Sequence, residues 1–230
     1  MEQCNSNSIV GVKTISKNEA SLFEEENFFK RLRLSVSEAW KIFQFKVGND
    51  IVKISKEASM QLQYAYILQN LFPLIIYNND EKIEIELEKT AKLDNDTYEI
   101  DVFVYGRKNN VEHNIAIEMK CYREHTATGG KRGATDIFMK DVYVDIWKLE
   151  KYISNNICQD KVFLAINDLD RLVYPKNRDA KCWDYDISNG YHLMPKEIDT
   201  PIGGKDQFIK INNEYVFNWI KRGNYYFLEL

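Results

Sequence analysis

Proline and cysteine are scarce in this chain, at four each in 230 residues, with ten glycines and three histidines. So little proline and glycine argues against long flexible linkers. The cysteines, at positions 4, 121, 158 and 182, show no CxxC spacing and no histidine at a zinc-finger interval, which excludes those zinc motifs. Met1 to Ile9 is polar and lacks the apolar stretch of a secretory signal, and no window approaches about 18 continuous apolar residues. The expectation is a chain without a membrane span, carrying free thiols in a reducing cytoplasm. Basic excess is also missing. Thirty-one Lys and Arg stand against 35 Asp and Glu, for a net charge of −4 and a pI near 5.6, whereas nucleic-acid-binding domains are often strongly basic. There is no internal repeat or low-complexity tract. Gly203-Gly204-Lys205 lacks the spacing of a phosphate-binding loop, and no G-x-S-x-G elbow occurs.

What is present is the composition of an ordinary globular protein, 44% hydrophobic and 29% charged. The length suits one domain, or one domain with an appendage, that buries roughly 70–75% of its unfolded surface. Residues 1–20 read as a loosely attached leader. Ser35 and Glu38 have capping-box spacing, and Val36, Trp40, Phe43 and Val47 follow at helical intervals, so one short helix is expected there. A second helix is expected from about Ser55 to Phe72, with Met60, Tyr64, Ile67 and Leu71 on one face, stopping before Pro73.

The period then changes. Ile83, Ile85 and Leu87 alternate with Glu84, Glu86 and Glu88, as on a half-buried strand. Tyr98 to Tyr105 and Asn114 to Tyr122 read as two further strands. A glycine-bearing loop then leads to a helix from Thr135 to Ile153, and Lys161 to Ile166 is a buried strand. This order predicts an α/β fold with a central mixed sheet flanked by helices. A small C-terminal β-meander is expected over Gln207 to Leu230, turning at Asn212-Asn213 and Arg222-Gly223-Asn224. The expected organisation is an N-terminal leader and helical extension over 1–54, a core over 55–170, and a β-rich extension over 171–230 packed on the same domain.

The sharpest chemical signal lies on two adjacent strands. Glu118 and Lys120, two apart, leave the same sheet face, while Ile117, Met119 and Cys121 point the other way. A hairpin turning at Asn109-Asn110 places Asp101 directly opposite Glu118, with β-carbons about 4.5–5.5 Å apart. Facing carboxylates are destabilising in an ordinary sheet, and a divalent cation between them removes the conflict. Lys120 beside them supplies a positive charge that can orient or help deprotonate an attacking water, or neutralise charge on a phosphate in the transition state. The competing reading is an exposed cross-strand ion pair, since Glu99 faces Lys120 in the same register.

The arrangement Asp101-x16-Glu118-x-Lys120, on two hydrophobic strands between helices, resembles the PD-(D/E)XK phosphodiesterase superfamily, which has a restriction-endonuclease-like core. The resemblance covers about residues 55–167. Ile100 stands where the proline of the name would be. The resemblance implies a Mg²⁺-dependent endonuclease (Mn²⁺ as substitute) hydrolysing DNA, with restriction or defence as its setting and RNA as an alternative substrate. It also implies that Asp101, Glu118 and the Met119 carbonyl are metal ligands and Lys120 is the catalytic lysine. Many members add an acid from the preceding helix. Glu57 is the candidate, with Gln61 a weaker substitute, although Glu57 in a first helical turn also suits the helix dipole.

Between Lys120 and Lys140 five basic residues stand against two acidic ones. Arg123, Lys131 and Arg132 on the intervening loop, and Lys140 on the next helix, are therefore candidate phosphate contacts. Asp141, Asp145 and Lys148 read as the solvated side of that helix. Cutting both strands of a duplex calls for two active sites, which makes a homodimer an expectation. The alternative function is a catalytically silent nuclease-like module that binds nucleic acid or protein.

Overall fold

A computed structural model describes residues 21–93, 96–125, 129–204 and 207–230. The expected leader over 1–20 lies outside the described residues. Helix α1 runs Phe28–Gly48 and α2 runs Glu57–Ile75. They precede three long strands, β1 (Glu81–Leu93), β2 (Asp96–Lys108) and β3 (Val111–Tyr122). Helix α3 (Thr135–Ser154) then crosses to β4 (Asp160–Asn167), which pairs parallel to β3. After a short helix α4 (Asp170–Val173) and a 3₁₀ turn at Lys181–Tyr185, the chain forms β5 (His192–Leu193), β6 (Lys196–Ile198), β7 (Ile209–Ile211), β8 (Tyr215–Val216), β9 (Ile220–Arg222) and β10 (Tyr225–Glu229).

The central sheet has the order β1-β2-β3-β4-β10-β9, antiparallel except for the β3–β4 pair. The expected α/β class with a mixed, helix-flanked sheet is therefore observed. Helices α1 and α2 cover one face through Trp40, Phe43, Tyr64 and Leu68, packed on Val102, Ile117, Met119 and Phe227. Helix α3 covers the other through Phe138, Val142, Ile146 and Leu149, with Phe163 and Phe103 beneath. Among the described residues no helix is long and apolar enough to cross a membrane. Cys121, Cys158 and Cys182 carry free thiols.

Three local expectations are corrected. Helix α1 begins at Phe28, a full two turns before Ser35. The Asn27 side chain accepts the Lys30 N–H as its cap, and Phe28 and Leu32 extend the apolar stripe upstream. Ser35 is an interior residue whose hydroxyl donates to the Leu32 carbonyl at 2.7 Å. Pro73 does not stop α2, because so close to the end it removes one hydrogen bond, and Ile75 still gains a buried position.

The tail is not a meander. Only β9 and β10 form a hairpin, and β10 joins the central sheet against β4, while β7 pairs with β6 and β8 with β5. Alternation marks these residues as strands, but β7, β8 and β10 find partners upstream of the tail, in β6, β5 and β4. The β9–β10 turn requires Gly223, which sits at φ +56, and a Cβ there would overlap the Gly48 carbonyl at the end of α1.

Candidate active site

The hairpin register is the one that the Asn109-Asn110 turn dictates. Both asparagines take positive φ, as a two-residue hairpin turn needs, and Lys108 pairs with Val111. Pairing runs to Val102–Ile117 and then stops, so Asp101 and Glu118 occupy the first position beyond the ladder. The break has a local cause. The Asp101 carbonyl accepts from the Gln61 amide of α2 at 2.6 Å, and Asp101 Oδ2 accepts the Met119 N–H at 2.6 Å. Side chains thus take over the backbone groups that a continuing ladder would have joined. The cluster lies toward the carboxyl ends of the parallel pair β3–β4, where ligands commonly bind in α/β sheets.

Glu118 and Lys120 do share a face, and it is the α3 face. Glu118 is 2% exposed, and its Oε1 accepts from the Tyr152 hydroxyl at 2.9 Å. Lys120 Nζ lies 2.9 Å from Asp145 Oδ2, in ion-pair contact although outside hydrogen-bonding angles. The same ammonium reaches Glu57 Oε1 at 3.4 Å, and Glu57 Oε2 accepts the Cys121 N–H at 3.2 Å. Glu57 therefore points into the site, as the rotation of α2 required. The competing Glu99–Lys120 pair does not form among the described residues, because Lys120 turns to Asp145 and Glu57, beyond the end of the ladder.

Helix α3 contributes more than the sequence reading allowed. Asp145 is 2% exposed, not solvated, and holds Lys148 at 2.9 Å as well as Lys120. The signal was available: Phe138, Val142, Asp145, Leu149 and Tyr152 follow one another at helical spacing, and all are buried. An acid in the middle of a buried row must meet a partner across the interface.

Burial drives the electrostatics. It pushes the Asp101 carboxyl up to about 6, against the Met119 N–H and Lys120, with Asp145 and Glu57 adding repulsion. Burial raises Glu118 well above the usual carboxylate range, and Asp145 and Asp101 raise it further. Burial would strip the Lys120 proton, but Asp145 and Glu57 outweigh it and hold the ammonium above its ordinary range. Four carboxylates, on Glu57, Asp101, Glu118 and Asp145, thus face two ammonium groups, on Lys120 and Lys148.

That surplus of negative charge, with oxygen donors, suits a hard divalent cation. Asp101 Oδ1 and Glu118 Oε2 accept no hydrogen bond among the described residues. Each ligand candidate thus keeps one oxygen for a cation, and the residues fit Mg²⁺ by charge and donor type. Among the described residues, however, no three His, Cys, Asp or Glu side chains already converge as a ligand group.

The raised Asp101 value has a consequence for stability. Its folded value lies above the unfolded value of about 3.9, so the folded state holds the proton more tightly. That contribution is complete below about pH 4 and is lost as pH rises through about 6. Asp101→Asn is expected to stabilise the cation-free protein at pH 7, by at most about 3 kcal/mol, and to lose that advantage at pH 4. Thermal denaturation of both proteins at the two pH values checks it.

The basic candidates are placed differently from expectation. Arg123 is tied to Asp168 at 2.7 Å and to the Ile54 carbonyl, and lies over the Tyr225 ring. Its work is to fasten β3 to the segment before α2, and that engagement counts against a free phosphate contact. Lys140 is a correction: it is 4% exposed, with Nζ 3.4 Å from the Ile202 carbonyl, so it is not offered to a phosphate. It lies on the packed side of α3, one residue after Met139. Lys131 is exposed beside Glu124 at 3.2 Å, and the Arg132 backbone bonds to Glu124. These two remain on the surface of the loop. No protein-family model, curated protein or solved structure matches the chain.

Proposed function

We propose that this chain is a metal-dependent nuclease of the PD-(D/E)XK kind, hydrolysing DNA phosphodiester bonds as a restriction- or defence-type endonuclease. The observation that carries this reading is the meeting of Asp101, Glu118, Lys120 and Glu57 at one broken end of the β2–β3 ladder. Asp101, Glu118 and the Met119 carbonyl would hold Mg²⁺, or Mn²⁺ in its place. The cation would polarise a phosphoryl oxygen and supply a nucleophilic water at neutral pH.

The protein's own groups divide the remaining work. The Met119 N–H fixes one Asp101 oxygen and the Tyr152 hydroxyl fixes one Glu118 oxygen, leaving the other oxygen of each directed by that anchor. Lys120, gripped between Asp145 and Glu57, is a standing positive charge, which favours its stabilising the phosphate in the transition state over its accepting a proton. RNA is an alternative substrate, and a homodimer would supply the second centre that duplex cleavage needs.

The test is a Mg²⁺- and Mn²⁺-dependent cleavage assay on mixed DNA and RNA, with chelator controls. The reading expects cleavage that chelation abolishes. A second reading, a nuclease-like binding module without turnover, is favoured by one observation: Lys120 already spends its charge on Asp145 and Glu57. It expects nucleic-acid or protein binding with no product under any metal.

Two substitutions probe the division of labour. Tyr152→Phe removes a hydroxyl and keeps the ring packing, so cleavage should fall about 10–100-fold, as for lost partners of metal ligands. Its melting temperature should fall modestly, since a hydrogen bond to a buried carboxylate contributes about 1–3 kcal/mol. Glu57→Gln should weaken cleavage while leaving cation-free stability unchanged or improved. If Glu57 serves only the helix dipole, stability falls by at most about 1 kcal/mol and the rate is untouched. Melting curves and initial rates on the two variants decide both.

A further inference from the structure

On the side of α3 turned away from Asp145 and Tyr152, a cavity of about 590 Å³ opens between that helix, β4 and β7. That size lies within the range of small-molecule pockets. Its floor is rigid. The Glu150 carboxylate accepts from the backbone and side-chain N–H groups of Asn212 and Asn213, all at 2.8–3.0 Å, and from the Tyr215 hydroxyl at 2.9 Å. With its lone pairs filled, Glu150 offers no oxygen to the cavity.

Lys161 is the unusual group there. Its half-buried ammonium lies over the Tyr215 ring, 4.6 Å from the centroid, and is held by the Tyr215 hydroxyl. Among the described residues no carboxylate lies within ion-pair distance of it. A partly desolvated cation without a counterion is costly unless an anion completes it. Burial accordingly lowers the Lys161 proton affinity, and Glu150 only partly restores it. Lys151 and Lys210 also line the cavity, the latter in an exposed pair with Glu197 that an anion can replace at little cost.

Two aromatic rings complete the lining. Trp147 stands at the α3 edge, and Phe208 is 59% exposed with no ring packed on it among the described residues. An exposed aromatic beside lysines is a surface on which a base can stack while its phosphate meets the ammonium groups.

We infer that this cavity binds a nucleoside phosphate, with the phosphate on Lys161 and its neighbouring lysines and the base against Phe208 and Trp147. The ligand is either a free nucleotide or one unit of a single strand. The site is separate from the Asp101–Glu118 centre and stands whether or not that centre cleaves.

Binding is measured by calorimetry in chelator, so that no divalent cation acts at the other centre. The probes are adenosine monophosphate, adenosine, inorganic phosphate and a short oligodeoxyadenylate. Saturable binding of the monophosphate is expected, with adenosine and phosphate each weaker. Lys161→Met, which keeps the stem, and Phe208→Ala, at an exposed ring, should each weaken it about tenfold or more. Lys120→Met should leave it unchanged. Tighter binding of the oligonucleotide identifies a strand subsite, and equal or weaker binding identifies a free nucleotide. No saturable binding of either, or binding that both cavity variants leave intact, overturns the inference.

Discussion

Lys120→Met is expected to lower metal-dependent cleavage by about 10²–10³-fold or more, the loss seen when a preorganised charge facing the transition state is removed. The effect should fall on kcat, with KM little changed, because the ammonium matters most where charge develops on the phosphate. Judged from the sequence alone, this lysine looks like an exposed strand residue whose removal spares the fold. The structure changes that expectation. Its side chain is 18% exposed and neutralises Asp145, itself buried, so truncation leaves a buried carboxylate with Lys148 as its remaining cation. Removing one partner of a buried pair costs about 3–5 kcal/mol, and Lys148 should hold the loss to the lower end. Melting temperature must therefore be measured beside the rate. The double variant Lys120→Met/Asp145→Asn should recover most of the stability and none of the activity, which separates the two roles.

The largest stability effect is expected far from that site, at Glu81→Ala. Arg31 is 1% exposed and donates to the Ile75, Glu25 and Glu26 carbonyls and to Glu81 Oε2 at 2.8 Å. Its guanidinium also lies over the Tyr77 ring, 3.9 Å from the centroid. Glu81, with a fully buried side chain, accepts in addition from Lys108, the Tyr77 N–H and Asn78. The pair thereby ties α1 to the end of α2 and to the first hairpin. Losing Glu81 strands the Arg31 charge in the interior, at about 3–5 kcal/mol, or a drop of roughly 10 °C for a chain of this length.

The pH dependence has a definite sign. Burial works to raise the Glu81 carboxyl, but the Tyr77 N–H, Lys108, Asn78 and Arg31 together bring it down to about 2. A carboxylate depressed in the folded state adds stability above its unfolded value of about 4.3, and that stability fades as pH falls toward about 2. Wild type should therefore approach Glu81→Ala in stability as acid is added, and acid denaturation of the two proteins checks this.

Much of the fold and part of the site could be read from residue order. Periodicity found α2, β1, β2, β3, α3 and β4, because each carries its own apolar stripe and depends little on distant partners. The Asn109-Asn110 turn then fixed the β2–β3 register, and with it the approach of Asp101 to Glu118. What escaped was set by long-range geometry. Tyr152 lies 34 residues from Glu118, and Glu81 lies 50 from Arg31. No local pattern joins such pairs. Ser35 misled for the opposite reason: a capping-box spacing arose inside a helix whose true cap, Asn27, lies eight residues upstream. Composition marks Arg123 on the loop and Lys140 on α3 as basic, but it counts charges without showing that Asp168 already holds Arg123 or that Lys140 is buried.

The substrate-independent core of the proposal is that Asp101 and Glu118 together hold one divalent cation. Titration of Mn²⁺ into wild type, Asp101→Asn and Glu118→Gln, followed by paramagnetic resonance of the free ion, measures this directly. The account predicts one saturable site per chain in wild type, weakened about tenfold or more in each variant. No saturable site in wild type, or equal binding in all three proteins, would contradict it.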